Sequence, residues 1–465
     1  MTFLRPRHLE RLLACATTLA VSAGCVHYEA RPLTPDATLA RLNGRRLDDP
    51  ALARAAASAL GVSAWPPARW DLDVLTVVGL HFHPDLAVAR ASWGAAQAAR
   101  VTAGARPDPT VIPGPGYNAS TPASTVTPWI LNLALDITIE TGGKRAARVA
   151  RAGYMSDSAR FAVADAAWRL RSTIRQALLD HFAATEAAAL LERQGTIQQS
   201  NLSLFQRQLD AGEISAFQLA QARLQSDAIR IALADARRQR EDARARIATA
   251  VGVPLASMDG AAIDATRFMA LPAALPEAAA RERALVNRAD VLGAVAAYEA
   301  TQATLQLEVA RQYPDIHLGP GYQMDQNSHK WTLLFPMTPP IFSRNRGPIA
   351  EANARRLEAA AQVDAVQARA LGALDRATVT YREALAKVAL ADQLIADLTR
   401  ATATARQQFA VGAISRLDLG VVELELTTRE LTRLDAVIQA QQALGALEDA
   451  MQLPANIPTL PERHP

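Results

Sequence analysis

Three short stretches carry the residue types from which reactive centres are usually built, and each stops short of one. Gly142-Gly143-Lys144 has the glycine and lysine of a phosphate-cradling loop, but lacks both the earlier glycine spacing and the Ser or Thr that follows the lysine in a Walker-type loop. His81-Phe82-His83 sets two imidazoles at the entrance of a helical stretch with no converging carboxylate, a pattern that fits structural histidines better than a metal site. The 2 cysteines, Cys15 and Cys25, lie at the extreme N-terminus, so disulfides and cysteine-based metal centres are excluded from the body of the chain. No catalytic group, cofactor or metal site is assigned, and the chain reads as something other than an enzyme. With 49 basic and 46 acidic residues among 465, the net charge of +3 is too small and too evenly spread to point to a nucleic acid partner.

Cys25 is the residue with a chemical future. Arg5, Arg7 and Arg11 precede an apolar stretch from Leu12 to Gly24, the charge pattern and length of a secretory signal rather than of a membrane span. The stretch ends in Val21-Ser22-Ala23-Gly24-Cys25, which resembles the lipobox of bacterial lipoproteins, where the chain is cleaved before the Cys and the Cys is acylated, palmitate being one such chain. Val26 and His27 follow without the Asp that retains lipoproteins in the inner membrane, so the resemblance favours the outer membrane. Beyond the signal no segment holds the ~18 consecutive apolar residues of a spanning helix. Any membrane crossing must therefore use strands.

The elements behind these stretches occur twice. Asp85 and Trp93 align with Asp290 and Tyr298, and the same register continues without a gap to Gly114-Pro115-Gly116-Tyr117 and Gly319-Pro320-Gly321-Tyr322. Further on, the segment from Leu209 to Ser215 aligns with that from Phe409 to Ser415, and Val251 to Pro254 with Met451 to Pro454. Each copy predicts a helix (Leu72 to Arg106; Glu282 to Arg311), two strands and a long helical pair. In the first strands Val111, Pro113, Pro115 and Tyr117, and Ile316, Leu318, Pro320 and Tyr322, share a face, although internal prolines suit edges or bulges. In the second strands Trp129, Leu131, Leu133, Leu135, Ile137 and Ile139 alternate with Ile130, Asn132, Ala134, Asp136 and Thr138, and Trp331, Leu333, Phe335 and Met337 with Thr332, Leu334, Pro336 and Thr338. A Trp opening each run, Trp129 and Trp331, fits the aromatic girdle of a transmembrane barrel, with the loops Ser120 to Pro128 and Gln326 to Lys330 facing outward.

Four strands cannot close a barrel, because membrane barrels need about eight and an open edge is not tolerated in lipid. The chain must oligomerise, and three copies supply twelve strands. Lys144 to Asp210 and Pro348 to Ala410 predict helices of roughly 100 Å each at ~1.5 Å per residue. Return helices run from Phe217 to Ala250 and from Leu417 to Leu453. On the first of these, Phe217, Ala220, Leu224, Ala228 and Ile231 form one apolar stripe, and Leu219, Ala222, Ile229, Leu233 and Ala236 a second, so the helix needs neighbours on two sides.

Signal, duplication, strand pairs and Gly-containing turns together resemble the TolC-like outer membrane factors over essentially the whole mature chain. The segments Glu140 to Ala147 and Ile341 to Ala352 are similar to the CzcC-like branch that serves heavy-metal RND efflux systems. The resemblance implies a mainly α fold with a small β part: long antiparallel hairpins forming a trimeric α-barrel, and four strands per chain in a 12-stranded transmembrane β-barrel. It implies a signal peptide at 1–24, an N-terminal equatorial segment at 25–69, repeats at 70–253 and 277–453, an equatorial linker at 254–276 and a tail at 454–465. It implies a lipid-anchored homotrimer in the bacterial outer membrane that passively conducts substrate, heavy-metal cations in this branch, from an inner-membrane RND-type pump and a periplasmic membrane-fusion adaptor. The adaptor would meet the turns at Gly212, Ile214 and Ser215 and at Gly412, Ile414 and Ser415, and Asp418 would line a constricted periplasmic gate, although its first-repeat equivalent is Gln218. The alternatives are a drug or type I protein export channel, or a periplasmic helical adaptor or scaffold, which would lack the paired girdle strands.

Overall fold

The computed structural model describes residues 27–62, 64–120, 126–272 and 278–454. Cys25 and the signal lie outside the described residues, as does the tail beyond 454. The chain divides into a short N-terminal unit ending at Arg45, with helix α1 (Pro35–Asn43), and a main unit from Arg46 onward.

The main unit runs α2 (Pro50–Leu60), α3 (Leu72–Phe82), α4 (Pro84–Gly104), β1 (Thr110–Tyr117), β2 (Trp129–Ile139), α5 (Lys144–Asp210) and α6 (Ala216–Val251). The second copy follows with α7 (Ala278–Asn287), α8 (Ala289–Ala310), β3 (Ile316–Asp325), β4 (Ser328–Leu334), α9 (Arg346–Ala410) and α10 (Arg416–Met451). The long helices form as expected: Ala-, Leu- and Arg-rich runs without internal proline propagate for 67 and 65 residues. Pro348 falls in the first turn of α9, where its missing N–H has no partner to lose.

The expected single helix from Leu72 to Arg106 is two helices, bent by 52°. Pro84 forces His83 out of the helical region (ψ 127°), and the His83 Nδ1 then accepts from the Asp85 amide at 3.3 Å, so this histidine caps α4. The second copy breaks at Arg288 without a proline. There the guanidinium holds Asp290 at 2.7 Å and donates to the Asp449 carbonyl at 3.1 Å, while the Gln452 side chain accepts from the Ala289 amide at 2.8 Å. Long-range partners offset the lost helical bonds at that break.

The sheet is antiparallel in the order β1-β2-β3-β4. Its second hairpin is tighter than expected. Gln326 and Asn327, both at positive φ (48° and 64°), make a two-residue turn, and β4 starts at Ser328, so Trp331 lies inside the strand and not at its start. β4 also ends earlier, at Leu334, because Pro336 has no N–H; only its carbonyl continues the pattern, accepting from His317 at 3.2 Å. Pro113 and Pro115 occupy an edge strand, and the β2–β3 ladder skips the position opposite central Pro320.

Below the sheet the helices form a wall four wide. Its order is α4, α5, α8, α9 nearer the strands and α6, α5, α10, α9 toward the hairpin turns. A belt midway along the wall holds the main core: Leu72, Leu75 and Val78 of α3 pack with Ile174 and Leu178 of α5, Ile247 of α6, and Met258 and Phe268 of the connection between the repeats. That connection is strapped down by Gln441, whose amide donates to the Phe268 and Ala270 carbonyls (2.9 and 2.8 Å), and by the Tyr381 hydroxyl, which donates to Pro272 O at 2.6 Å. Burial pushes the Tyr381 hydroxyl up to about 12, so it remains a donor at any physiological pH.

Candidate functional site

Two surfaces of the chain are left open. The first is the sheet. Register pairs Val111 with Leu135, Tyr117 with Trp129, Leu133 with Tyr322, Ile137 with Leu318 and Tyr322 with Trp331, so Ile112, Ile130 and Leu334 fall on one face, while the strand aromatics and most of the aliphatic residues share the other. That face is bare: Val111, Trp129, Leu133, Trp331 and Leu333 are all exposed. Two aromatic pairs stand on it, Tyr117 with Trp129 (centroids 5.1 Å apart) and Tyr322 with Trp331 (4.9 Å). Trp129 opens β2, whereas Trp331 is level, through Tyr322, with Leu133. The opposite face carries Asn132, Asp136, Thr138, His317, Gln323 and Thr332. A soluble sheet buries its apolar side; this one shows it, and leaves β1 and β4 with an unpaired edge each.

The second surface is the helical wall, open along the same two sides. On α6 the stripe of Leu219, Ala222 and Ala236 is buried against the chain's own helices, while Phe217, Leu224 and Ile231 of the other stripe are 66–70% exposed. At the far side of the wall α9 exposes Leu357, Leu371, Val379, Leu390 and Leu394. The two open sides belong to different helices, α6 on one and α9 on the other.

At the foot of the wall both hairpins turn identically. Gly212 and Gly412 take φ of +77° and +75°, and Ser215 and Ser415 then cap the return helices. Ser415 Oγ accepts from the Asp418 amide at 3.1 Å while the Asp418 carboxylate accepts from the Ser415 amide (3.0 Å) and hydroxyl (2.7 Å). Gln218 does the same for Ser215, with its Oε1 2.9 Å from the Ser215 amide. Hydrogen bonds from Ser415 hold the Asp418 carboxyl below its usual range, so it is charged at neutral pH. Ile214 and Ile414 are half-buried beside these exposed turns.

The sequence profile of the outer membrane efflux protein family matches residues 80–253 and again residues 280–451. The chain belongs to that family. Cobalt-zinc-cadmium resistance protein CzcC of Cupriavidus metallidurans is 26% identical over 215 residues, 46% of this chain, and the chain spans half the length of that relative. The solved structure of CusC, described in terms of transmembrane channel formation, superposes with a TM-score of 0.65 at 18% identity over 92% of this chain and 99% of that one. The outer membrane protein VceC of Vibrio cholerae gives 0.65 at 19% identity over 82% and 95%. At such identities the likeness is one of fold, and it is the fold of outer membrane efflux proteins.

Within this family fold several residues escape the sequence reading. Gly142 and Gly143, at φ +64° and +76°, turn β2 into α5, and Lys144 is buried with its ammonium 2.7 Å from both Asp315 and the Tyr313 carbonyl. What resembles half of a phosphate loop is the pin between sheet and wall, tying one repeat to the other. Arg175 of α5 crosses to α10, donating to the Gln441 carbonyl at 2.8 Å and lying 3.4 Å from the buried Glu448. Burial holds its guanidinium below the usual arginine range, and the absence of a side chain at Gly445 makes room for it. Gly420 likewise admits the buried Asn201. A glycine inside a helical run is the signal that could have found both crossings.

Proposed function

We propose that three copies of this chain close head-to-tail into an exit duct of the bacterial outer membrane, anchored by an acyl chain on Cys25. The observation that carries this reading is the coincidence of the sheet's bare apolar face with open sides on sheet and wall alike. Three sheets supply twelve strands with lipid outside and the Asn132, Asp136 and Gln323 face inside, and no edge remains. Trp129 then belongs to the aromatic girdle, and Trp331, level with Leu133, stands deeper on the lipid face. Three walls make the periplasmic tube, and its foot gathers Gly212, Ile214, Ser215, Gly412, Ile414 and Ser415 where a membrane-fusion adaptor docks. Asp418 supplies one carboxylate per copy around the entrance, a ring that favours cations.

The duct is passive; an inner-membrane RND-type pump supplies the energy. The partial match to a cobalt-zinc-cadmium resistance protein supports divalent metal cations as cargo. Fractionation of cells expressing the full-length protein or Cys25→Ser, followed by native mass spectrometry in detergent, is the test. The expected result is an outer-membrane trimer whose acyl mass is present only in the parent, and a soluble periplasmic monomer would sink the reading. Deleting the gene from its host is expected to raise sensitivity to zinc, cobalt or cadmium. Sensitivity to drugs alone would move the cargo to the drug-export alternative.

A further inference from the structure

The polar face of the sheet holds one imidazole placed unlike any other in the described chain. His317 of β3 sits opposite Thr138 of β2, and its Nδ1 lies 3.0 and 3.1 Å from the two oxygens of Asp136, one pleat away on the same strand as Thr138. A carboxylate only accepts, so in the neutral ring Nδ1 carries the proton and Nε2 keeps its lone pair. Nε2 has no hydrogen-bond partner among the described residues, and both side chains are about a third exposed, at 32% and 31%. A carboxylate behind one ring nitrogen fixes the tautomer and orients the ring, the arrangement found behind metal-ligating histidines.

We infer that His317, oriented by Asp136, is a contact site for a divalent transition-metal cation on the polar face of the sheet, one per copy. This rests on the reading that the polar face lines a duct carrying such cations. Imidazole suits zinc and cobalt, whereas magnesium prefers oxygen ligands. Among the described residues no group of three or more His, Cys, Asp or Glu side chains converges as a closed metal centre. A single imidazole completed by water binds weakly and releases readily, which suits passage and not storage. The other histidines of the described elements stand elsewhere: His81 is exposed on α3 with its ring edge-on to Phe82, His83 caps α4, His181 is turned into the helical wall, and His329 stands on the apolar face with its Nδ1 2.6 Å from the Tyr322 hydroxyl. β2 and β3 are the two central strands and come from different repeats, so the site is complete within each copy.

The test is carbethoxylation of histidines by diethyl pyrocarbonate on the detergent-solubilised full-length protein, read residue by residue by tandem mass spectrometry with and without zinc. Native mass spectrometry of the same sample records its oligomeric state. Zinc is expected to protect His317 and not His329, magnesium to protect neither, and Asp136→Asn to require roughly tenfold more zinc for the same protection. Equal labelling of His317 with and without zinc, equal protection of both histidines, or a His317 that is unreactive from the start would overturn the inference. Any of these in an intact trimer leaves the duct standing and removes only the cation contact; a soluble monomer removes both.

Discussion

His181 lies on α5 with Nδ1 buried and unpartnered among the described residues. Burial lowers its pKa, and Arg240 and Arg244 of α6 push the same way against Glu241. The folded state therefore binds a proton less readily than the unfolded chain. The stability this group contributes is complete above the unfolded value of about 6.5 and is lost as pH falls from there through the lower folded value. The thermal midpoint of the purified protein should drop between about pH 7 and pH 5, and His181→Gln should flatten that slope. An unchanged slope in the variant would place the acid sensitivity elsewhere. His181 shows how little of a residue's role is written locally. In sequence it is one more histidine in an alanine-rich run, and the arginines that act on it arrive about sixty residues later on the return helix, with no pattern to announce them.

At the scale of the element, the carboxylate proposed for the gate, Asp418, is also part of the capping box of α10. Ser415→Ala removes the acceptor that caps α10 and should cost about 1 kcal/mol, seen as roughly fivefold faster amide exchange over the first turn of the helix. Asp418→Asn keeps a side-chain oxygen for the Ser415 amide and removes the charge. It should leave exchange nearly unchanged while lowering the cation preference of the reconstituted channel in planar bilayers. If exchange quickens and selectivity stays, the carboxylate serves only the cap. Element identity was largely legible in advance: α5 begins and ends at the expected Lys144 and Asp210, since proline-free helical composition and turn glycines are local signals. The breaks were less legible. Proline accounts for His83-Pro84, but the interruption at Arg288 depends on acceptors and donors at the end of α10, about 160 residues away, and β4 started early because two non-glycine residues accepted positive φ.

For the whole molecule, the decisive contrast lies on α6. Leu219 is buried within the copy and Leu224 is 70% exposed on the open side. Leu219→Ala should destabilise the protomer by about 2–5 kcal/mol. Leu224→Glu should leave its helical signal intact while native mass spectrometry finds monomer where the parent gives trimer. A trimer that survives Leu224→Glu would mean that this stripe does not seal the wall. The sequence by itself determined the duplication, the extent of the long hairpin helices, the alternation that gives every strand an apolar face, and the two stripes on α6, because period and composition are properties of neighbours along the chain. Only the tertiary structure decided which stripe is covered, that β2 pairs with β3 and so welds the repeats together, and that Lys144 meets Asp315, Arg175 meets Glu448 and His317 meets Asp136. Each of these joins residues about 170 to 270 positions apart, and such partners are chosen by which surfaces can be buried together, a quantity no local window contains.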